Sequence, residues 1–286
     1  MADRDGYIAG VPCWADTYQP DPEAALDFYS GLFGWEFENV VPESSGGKYF
    51  IGRIRGGDVA AVTSVPEGAP RVATWNTFVW VDNADETADI VRKAGGTVVR
   101  EPFDVTGAGR MAVVSDPEGA AFCLWQAKGH KGSRIVNEHG SVNFNVLAAR
   151  DTEGAKAFYG AVFGWKAIPA QGETMWWALP GYADHLEETR PGLRKQAAEF
   201  GAPEGFVDVV AAFNPIAGND SKTPANWGIA FGVNDADATA ATAVKLGGQV
   251  VAGPFDAPWS RLAVIKDPQG ATFSATQFVP ENKDII

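Results

Sequence analysis

The sequence predicts an α+β protein made of four strand–helix–three-strand modules, grouped as two similar halves with an internal pseudo-twofold. Two repeats carry this. The helix phrase that starts at Asp21 and contains Phe28-Tyr29…Phe33-Gly34-Trp35 starts again at Asp151 with Phe158-Tyr159…Phe163-Gly164-Trp165, 130 positions on (151 less 21). A second block, Trp75–Asp82 followed by Asp116-Pro-Glu-Gly-Ala, returns as Trp227–Asn234 and Asp267-Pro-Gln-Gly-Ala, at offsets of 152 (227 less 75) and 151 (267 less 116). The second copy therefore carries about 22 extra residues (152 less 130) between its blocks. So long a period excludes a solenoid, whose units run to roughly 20–50 residues.

Each element has a local cause. Val11 to Tyr18 can form the first strand, and Asp21, Pro22 and Glu23 are a helix N-cap, a first-turn proline and an acidic residue at the positive end of the helix dipole. Ala25, Phe28, Tyr29, Leu32 and Phe33 then line one helical face, and Gly34 stops the helix. Short strands follow at Trp35–Glu38, at Lys48–Ile54 after the turn Ser44-Ser45-Gly46-Gly47, and at Val59–Val65 after Gly56-Gly57. The second module repeats the order: strand Trp75–Val81, helix Ala84–Ala94 closed by Gly95-Gly96, then Thr97–Arg100, Arg110–Ser115 and Ala121–Trp125. The third and fourth modules echo these from Ser141 and Trp227, giving domains at 1–130 and 138–282. Gly201–Pro224 is expected to join the last two modules, with the extra residues around Leu193–Phe213.

Composition narrows the function. At 286 residues each half is long enough to bury its own core. A formal charge of −13 argues against nucleic acid or an anionic membrane as partner. Cys13 and Cys123 lie far apart without a CxxC spacing, so neither a disulfide framework nor a thiolate zinc site is indicated. The N-terminus lacks a signal-peptide run and nothing approaches 18 apolar residues, so a cytoplasmic location is expected.

The phrases Phe28-Tyr29…Phe33-Gly34-Trp35 and Asp116-Pro117-Glu118-Gly119, with their second copies, resemble the vicinal oxygen chelate superfamily of glyoxalases, bleomycin-resistance proteins and dioxygenases. Within it the chain is similar to two-domain actinobacterial proteins of the "hydroxylase" or glyoxalase-like type. The resemblance implies βαβββ modules whose sheets curl into half-barrels around a ligand. It also implies metal ligands on first strands, seven residues before the helix-capping Asp, and on last strands, seven after the Asp of the Asp-Pro turn. Here those positions hold Trp14 and Phe144, Trp75 and Trp227 (counted from Asp82 and Asn234), and Cys123 and Ser274. None suits a hard divalent ion. His130 and His139 fall between the halves and His185 in a loop-like stretch, so no metal or other cofactor is expected.

Aromatic side chains stand where ligands would be. Strand alternation adds Asp16 and Tyr18 beside Trp14, Trp125 beside Cys123 and Phe231 beside Trp227; Trp176 and Trp177 add aromatic surface. The small faces, Cys13, Ala15 and Thr17 or Gly228, Ala230 and Gly232, are expected to lie under the helices. A single tryptophan on a half-buried strand is more often core than ligand platform, but four aromatics at all four first-strand ligand positions shift the balance toward a cleft. The function expected is metal-free binding, for sequestration or carriage, of a hydrophobic, polycyclic aromatic drug or natural product, with Asp16 as an anionic anchor. The fold sets a precedent in bleomycin-resistance proteins, which by this resemblance hold a drug without metal chemistry. Alternatives are a metal-independent acid–base enzyme using Asp16, or a glyoxalase- or dioxygenase-type lyase, for which the ligands are missing. A monomer or weak homodimer is expected. Whether a cleft forms within a half or across halves stays open.

Overall fold

The computed structural model describes residues 5–42, 46–170, 174–218, 220 and 222–285, so Ser44 and Ser45 of the expected turn lie outside the described residues. The first half contains β1 (Pro12–Gln19), α1 (Pro22–Phe33), β2 (Glu36–Asn39), β3 (Tyr49–Ile54), β4 (Gly57–Ser64), β5 (Thr74–Trp80), α2 (Ala84–Lys93), β6 (Thr97–Val105), β7 (Gly109–Ser115) and β8 (Ala121–Ala127). The second contains β9 (Val142–Ala149), α3 (Thr152–Phe163), β10 (Lys166–Pro169), β11 (Met175–Ala178), α4 (Tyr182–Thr189), α5 (Leu193–Glu199), β12 (Val209–Pro215), β13 (Asn226–Gly232), α6 (Ala236–Lys245), β14 (Gln249–Ala257), β15 (Ser260–Lys266) and β16 (Thr272–Phe278). Each half is one eight-stranded mixed sheet, β2-β3-β4-β1-β5-β8-β7-β6 and β10-β11-β12-β9-β13-β16-β15-β14. Two modules join within a half through the antiparallel pairs β1–β5 and β9–β13. Four modules thus make two half-barrels of identical strand order.

The first and third helices begin and end as their sequences dictate. Asp21 and Asp151 accept the main-chain N–H groups of Ala24 and Gly154, and Gly34 and Gly164 close the helices at φ of 71° and 72°. In the other two modules the cap comes one residue later than expected. Asn83 caps α2 through Asp85 and Glu86, and Asp235 caps α6 through Ala238.

The helix-bearing faces of the two sheets meet, and the core is shared crosswise. Phe28, Tyr29, Phe33 and Trp35 of the first module pack with Phe231, Ala240 and Phe273 of the fourth. Phe158, Tyr159 and Trp165 of the third pack with Phe122, Leu124 and Val91 of the second. The recurring motifs are staples across this layer. Tyr29 Oη and Gln19 Nε2 donate to Asp267 Oδ2 at 2.8 and 2.6 Å. Tyr159 Oη donates to Asp116 Oδ2 at 3.0 Å. Trp35 Nε1 donates to the Gly140 carbonyl and Trp165 Nε1 to the Gly10 carbonyl, at 2.7 and 2.8 Å. Arg110 and Arg261 occupy matched places as ion-pair partners of Asp85 and Asp237 at the surface.

The excess segment overlaps the expected Leu193–Phe213 but begins and ends earlier. Residues 181–208, holding α4 and α5, run between β11 and β12, where the first half has only the turn at Arg55-Gly56 between β3 and β4. Val209–Pro215 is a strand, because its alternate residues Ala211 and Phe213 fill the core beside Trp177. The connection between the last two modules is accordingly shorter than the expected Gly201–Pro224. No helix among the described residues is long and apolar enough to cross a membrane.

Candidate functional site

The sheet faces turned away from the helices form the two bowls, and register decides what lines them. In the first half Ala61, Asp16 and Asn76 share one row across β4, β1 and β5. Trp14 lies opposite Phe78, Phe78 beside Cys123, and Trp80 beside Trp125. The second half repeats this geometry with Ala212, Val146 and Gly228 in the matching row, Phe144 opposite Ala230, and Ala230 beside Ser274. Trp176 is in register with Ala212 and so faces the same bowl.

Four expected site residues point the other way. Trp75 and Phe231 are buried in the core around Tyr29, and Trp177 and Trp227 in the core around Tyr159, where Trp227 Nε1 donates to Tyr159 Oη at 2.9 Å. The cause is the shifted caps. Counting seven back from Asn83 and Asp235 gives Asn76 and Gly228, and a slip of one residue turns a strand side chain to the opposite face. Trp177 lies one residue from Trp176, so pleating sends it inward. The expected small face of β13 is likewise reversed: Gly228 and Ala230 line the bowl, and Cys13, at the irregular register between Pro12 and Trp14, joins the cluster of Trp14 and Cys123 instead of the helix-facing layer.

The first bowl brings Trp14, Asp16, Tyr18, Cys123 and Trp125 together, and their bulk fills it. Trp14, Phe78, Cys123 and Trp125 are all buried. Asp16 is 3% exposed, with Oδ1 accepting from Asn76 Nδ2 at 2.8 Å and Oδ2 from Tyr49 Oη at 3.2 Å. Trp14 Nε1 donates in turn to Tyr49 Oη at 2.8 Å. The His130 ring packs edge-on against Trp14 at 4.4 Å, closing that end with the connection between the halves. Burial pushes the Asp16 carboxyl up to about 7, against the opposing pull of the Asn76 and Tyr49 hydrogen bonds. Burial also raises the Cys13 and Cys123 thiols.

The raised Asp16 carboxyl has a consequence for stability. An unfolded carboxyl titrates near ~3.9, so the native state holds this proton more tightly, and the stability it contributes is lost as pH rises from about 4 through 7. Asp16→Asn is expected to be more stable than the parent at pH 8, by up to roughly 4 kcal/mol, and equal or weaker at pH 4. Urea unfolding at the two pH values checks this; a variant destabilised equally at both would show that Asp16 is not a buried acid.

The second bowl is open by comparison. Phe144, Val146, Ala148, Trp176, Ser274 and Thr276 are each only partly buried. Bulk is replaced by small residues, Gly228 for Asn76, Ala230 for Phe78 and Ser274 for Cys123. A Cβ added at Gly228 would meet nothing closer than the Val146 carbonyl oxygen at 3.8 Å, so the floor has space above it. Residues 181–208 touch two edges of this bowl as a partial roof, while Tyr182 and Leu186 of the same segment join the buried cluster that holds Trp14, Cys123 and Trp125 of the first half. Phe206 lies edge-on against Trp176 at 5.1 Å. On the far side Phe200 meets Phe278 at 5.9 Å, and Phe278 stacks on Trp259 at 6.5 Å and 5°. Neither the cavity of about 220 Å³ inside the roof nor one of about 200 Å³ beside α2 is lined by a floor residue. Sequence reasoning missed Phe200, Phe206, Trp259 and Phe278; the aromatic content of the extra segment was the available signal for the first two.

Neither bowl fits a metal ion. The bowl-facing positions near the sheet centres hold one carboxylate, Asp16, already bonded by Asn76 and Tyr49. Among the described residues no three His, Cys, Asp or Glu side chains converge.

Comparison with known proteins places this geometry. The model of the Glyoxalase/Bleomycin resistance protein/Dioxygenase superfamily matches residues 14–124 and 141–274. The chain is 36% identical to the putative glyoxylase CFP32 of Mycobacterium tuberculosis, over 98% of this chain and 100% of that protein. It is 34% identical to the anthracycline biosynthesis protein DnrV of Streptomyces peucetius, over 95% and 94%. Among solved structures it resembles the Mn(II)-bound glyoxalase from Novosphingobium aromaticivorans (TM-score 0.60, 17% identity, covering 97% of this chain and 83% of that one). It also resembles the 2,3-dioxygenase LapB from Pseudomonas sp. KL28 (TM-score 0.60, 14% identity, 95% and 93%). At those identities the structural likeness is one of fold.

Proposed function

Because the chain belongs to the glyoxalase, bleomycin resistance protein and dioxygenase superfamily but lacks a ligand set for its metal, we propose that it is a metal-independent binding protein for a flat, polycyclic aromatic natural product. One observation carries this proposal: a floor of small residues, Gly228, Ala230 and Ser274, flanked by Phe144 and by Trp176, against which Phe206 of the insertion packs edge-on. The similarity to a protein of anthracycline biosynthesis supports a fused-ring ligand. Asp16, the anchor expected from the sequence, is enclosed by its own hydrogen bonds, so the second bowl replaces the first as the place of binding. Each ring contact with Phe144 or Trp176 contributes about 0.5–1.5 kcal/mol beyond burial. Apolar area adds roughly 25 cal/mol per Å², which brings micromolar affinity, about −8 kcal/mol, within reach.

The test is a titration of chelator-treated protein with a tetracyclic anthraquinone-type aglycone, followed by tryptophan fluorescence. Saturable quenching with one site and a dissociation constant in the micromolar range or below is expected. Quenching that needs added zinc, iron or manganese would contradict a metal-independent site.

A second reading, acid–base catalysis at Asp16, is favoured by a carboxyl raised to about 7, close to the operating pH of a general acid or base. It requires the first bowl to open, since Asp16 is 3% exposed.

A further inference from the structure

We infer that the ligand of the second bowl is uncharged, and that Val146 and Gly228 set this preference. This rests on the binding site proposed above and adds the charge of its occupant. The pseudo-twofold supplies the comparison. Asp16 stands between Ala61 and Asn76 in the first half, and Val146 stands between Ala212 and Gly228 in the second, at the same point of the same sheet order. One half therefore has a carboxylate and an amide at its centre, and the other has an isopropyl group and a hydrogen atom. The neighbouring floor positions, Ala148, Ala230, Ser274 and Thr276, add only hydroxyl groups as polar side chains.

A cation seated on that floor would give up its water without meeting an opposite charge, which strongly opposes burial. Of the carboxylates in residues 181–208, Glu188, Glu199 and Glu204 are exposed to solvent and the other three are held by neighbouring donors. Arg194 Nη2 donates to Asp184 Oδ1 at 2.6 Å, Glu187 accepts the Gly192 and Arg194 main-chain N–H groups, and Asp208 accepts that of Ala183. Ser274 and Thr276 are suited instead to the carbonyl and phenol oxygens of a neutral polycycle. The class indicated is a neutral, oxygenated, fused-ring aromatic, and an amine-bearing derivative of the same skeleton is discriminated against.

Three probes isolate charge from bulk: a tetracyclic aglycone, its amino-sugar glycoside, and that glycoside with the amine acetylated. On the parent the acetylated glycoside should bind at least tenfold more tightly than the free amine at pH 7, with the aglycone at least as tight. Val146→Asp should shrink or reverse the ratio, Val146→Ala should keep it, and Asp16→Asn should leave it unchanged. Should Val146→Asp fail to fold, Gly228→Asp places a carboxylate in the same row and gives the same readout. Equal or tighter binding of the free amine by the parent, or a ratio that collapses in Asp16→Asn, overturns the inference while leaving the binding proposal intact. Failure of the folded parent to bind any of the three overturns the binding proposal itself.

Discussion

Replacing Asp267 by alanine is expected to cost the fold about 3–5 kcal/mol, the range for breaking a buried charged network by removing one partner. The carboxylate is 3% exposed and gathers donors from both halves: Tyr29 Oη, Gln19 Nε2, and the main-chain N–H groups of Gln269, Gly270 and Ala271. Truncation removes the acceptor of the buried Tyr29 hydroxyl and Ala271 N–H and one of the two acceptors of Gln19 Nε2, and each unsatisfied buried group costs about 1–3 kcal/mol. At roughly 2–4 °C per kcal/mol for a chain of this size, the melting temperature should fall by about 10 °C. Asp116→Ala removes the matching staple to Tyr159 and should act in the same direction. Denaturant unfolding of the two variants and the double variant measures this. Losses below about 1 kcal/mol each would mean that the crosswise motifs do not hold the halves together.

Plugging the second bowl is expected to abolish binding without damaging the fold. Gly228→Trp projects an indole from a floor position at which an added Cβ meets only the Val146 carbonyl oxygen, at 3.8 Å. Affinity for a tetracyclic aglycone should drop by a hundredfold or more while thermal stability changes little. Trp176→Ala, which removes one wall and its contact with Phe206, should weaken binding by about tenfold, in line with the loss of one aromatic contact of roughly 1.4 kcal/mol. Unchanged binding in both variants would move the site away from this bowl.

Much of the architecture was legible in the chain. The 130-residue echo of the helix phrase, the Asp caps at 21 and 151 and the closing glycines at 34 and 164 specify local structure with local signals. The site was less so. Asp82 and Asn234 looked like caps, but Asn83 and Asp235 perform the role, and that single residue reverses every side chain on β5 and β13. Trp75 and Trp227 thereby belong to a layer between two sheets, a tertiary arrangement with no local signal. Trp14, Asp16, Tyr18, Cys123 and Trp125 do share a face, yet mutual packing closes that face, and packing density is not written in strand alternation. The roof required knowing that Phe200 and Phe206, remote from β16 and near β11 only after folding, would reach across both.

The most direct test of where and how this protein binds is a crystal structure of the chelator-treated protein soaked with the tetracyclic aglycone. Density should lie over Gly228 and Ala230, between Phe144 and Trp176 and beneath Phe206, with no metal beside it. Density over Asp16 and Tyr18 in the first half, or a metal ion bridging protein and ligand, would contradict it.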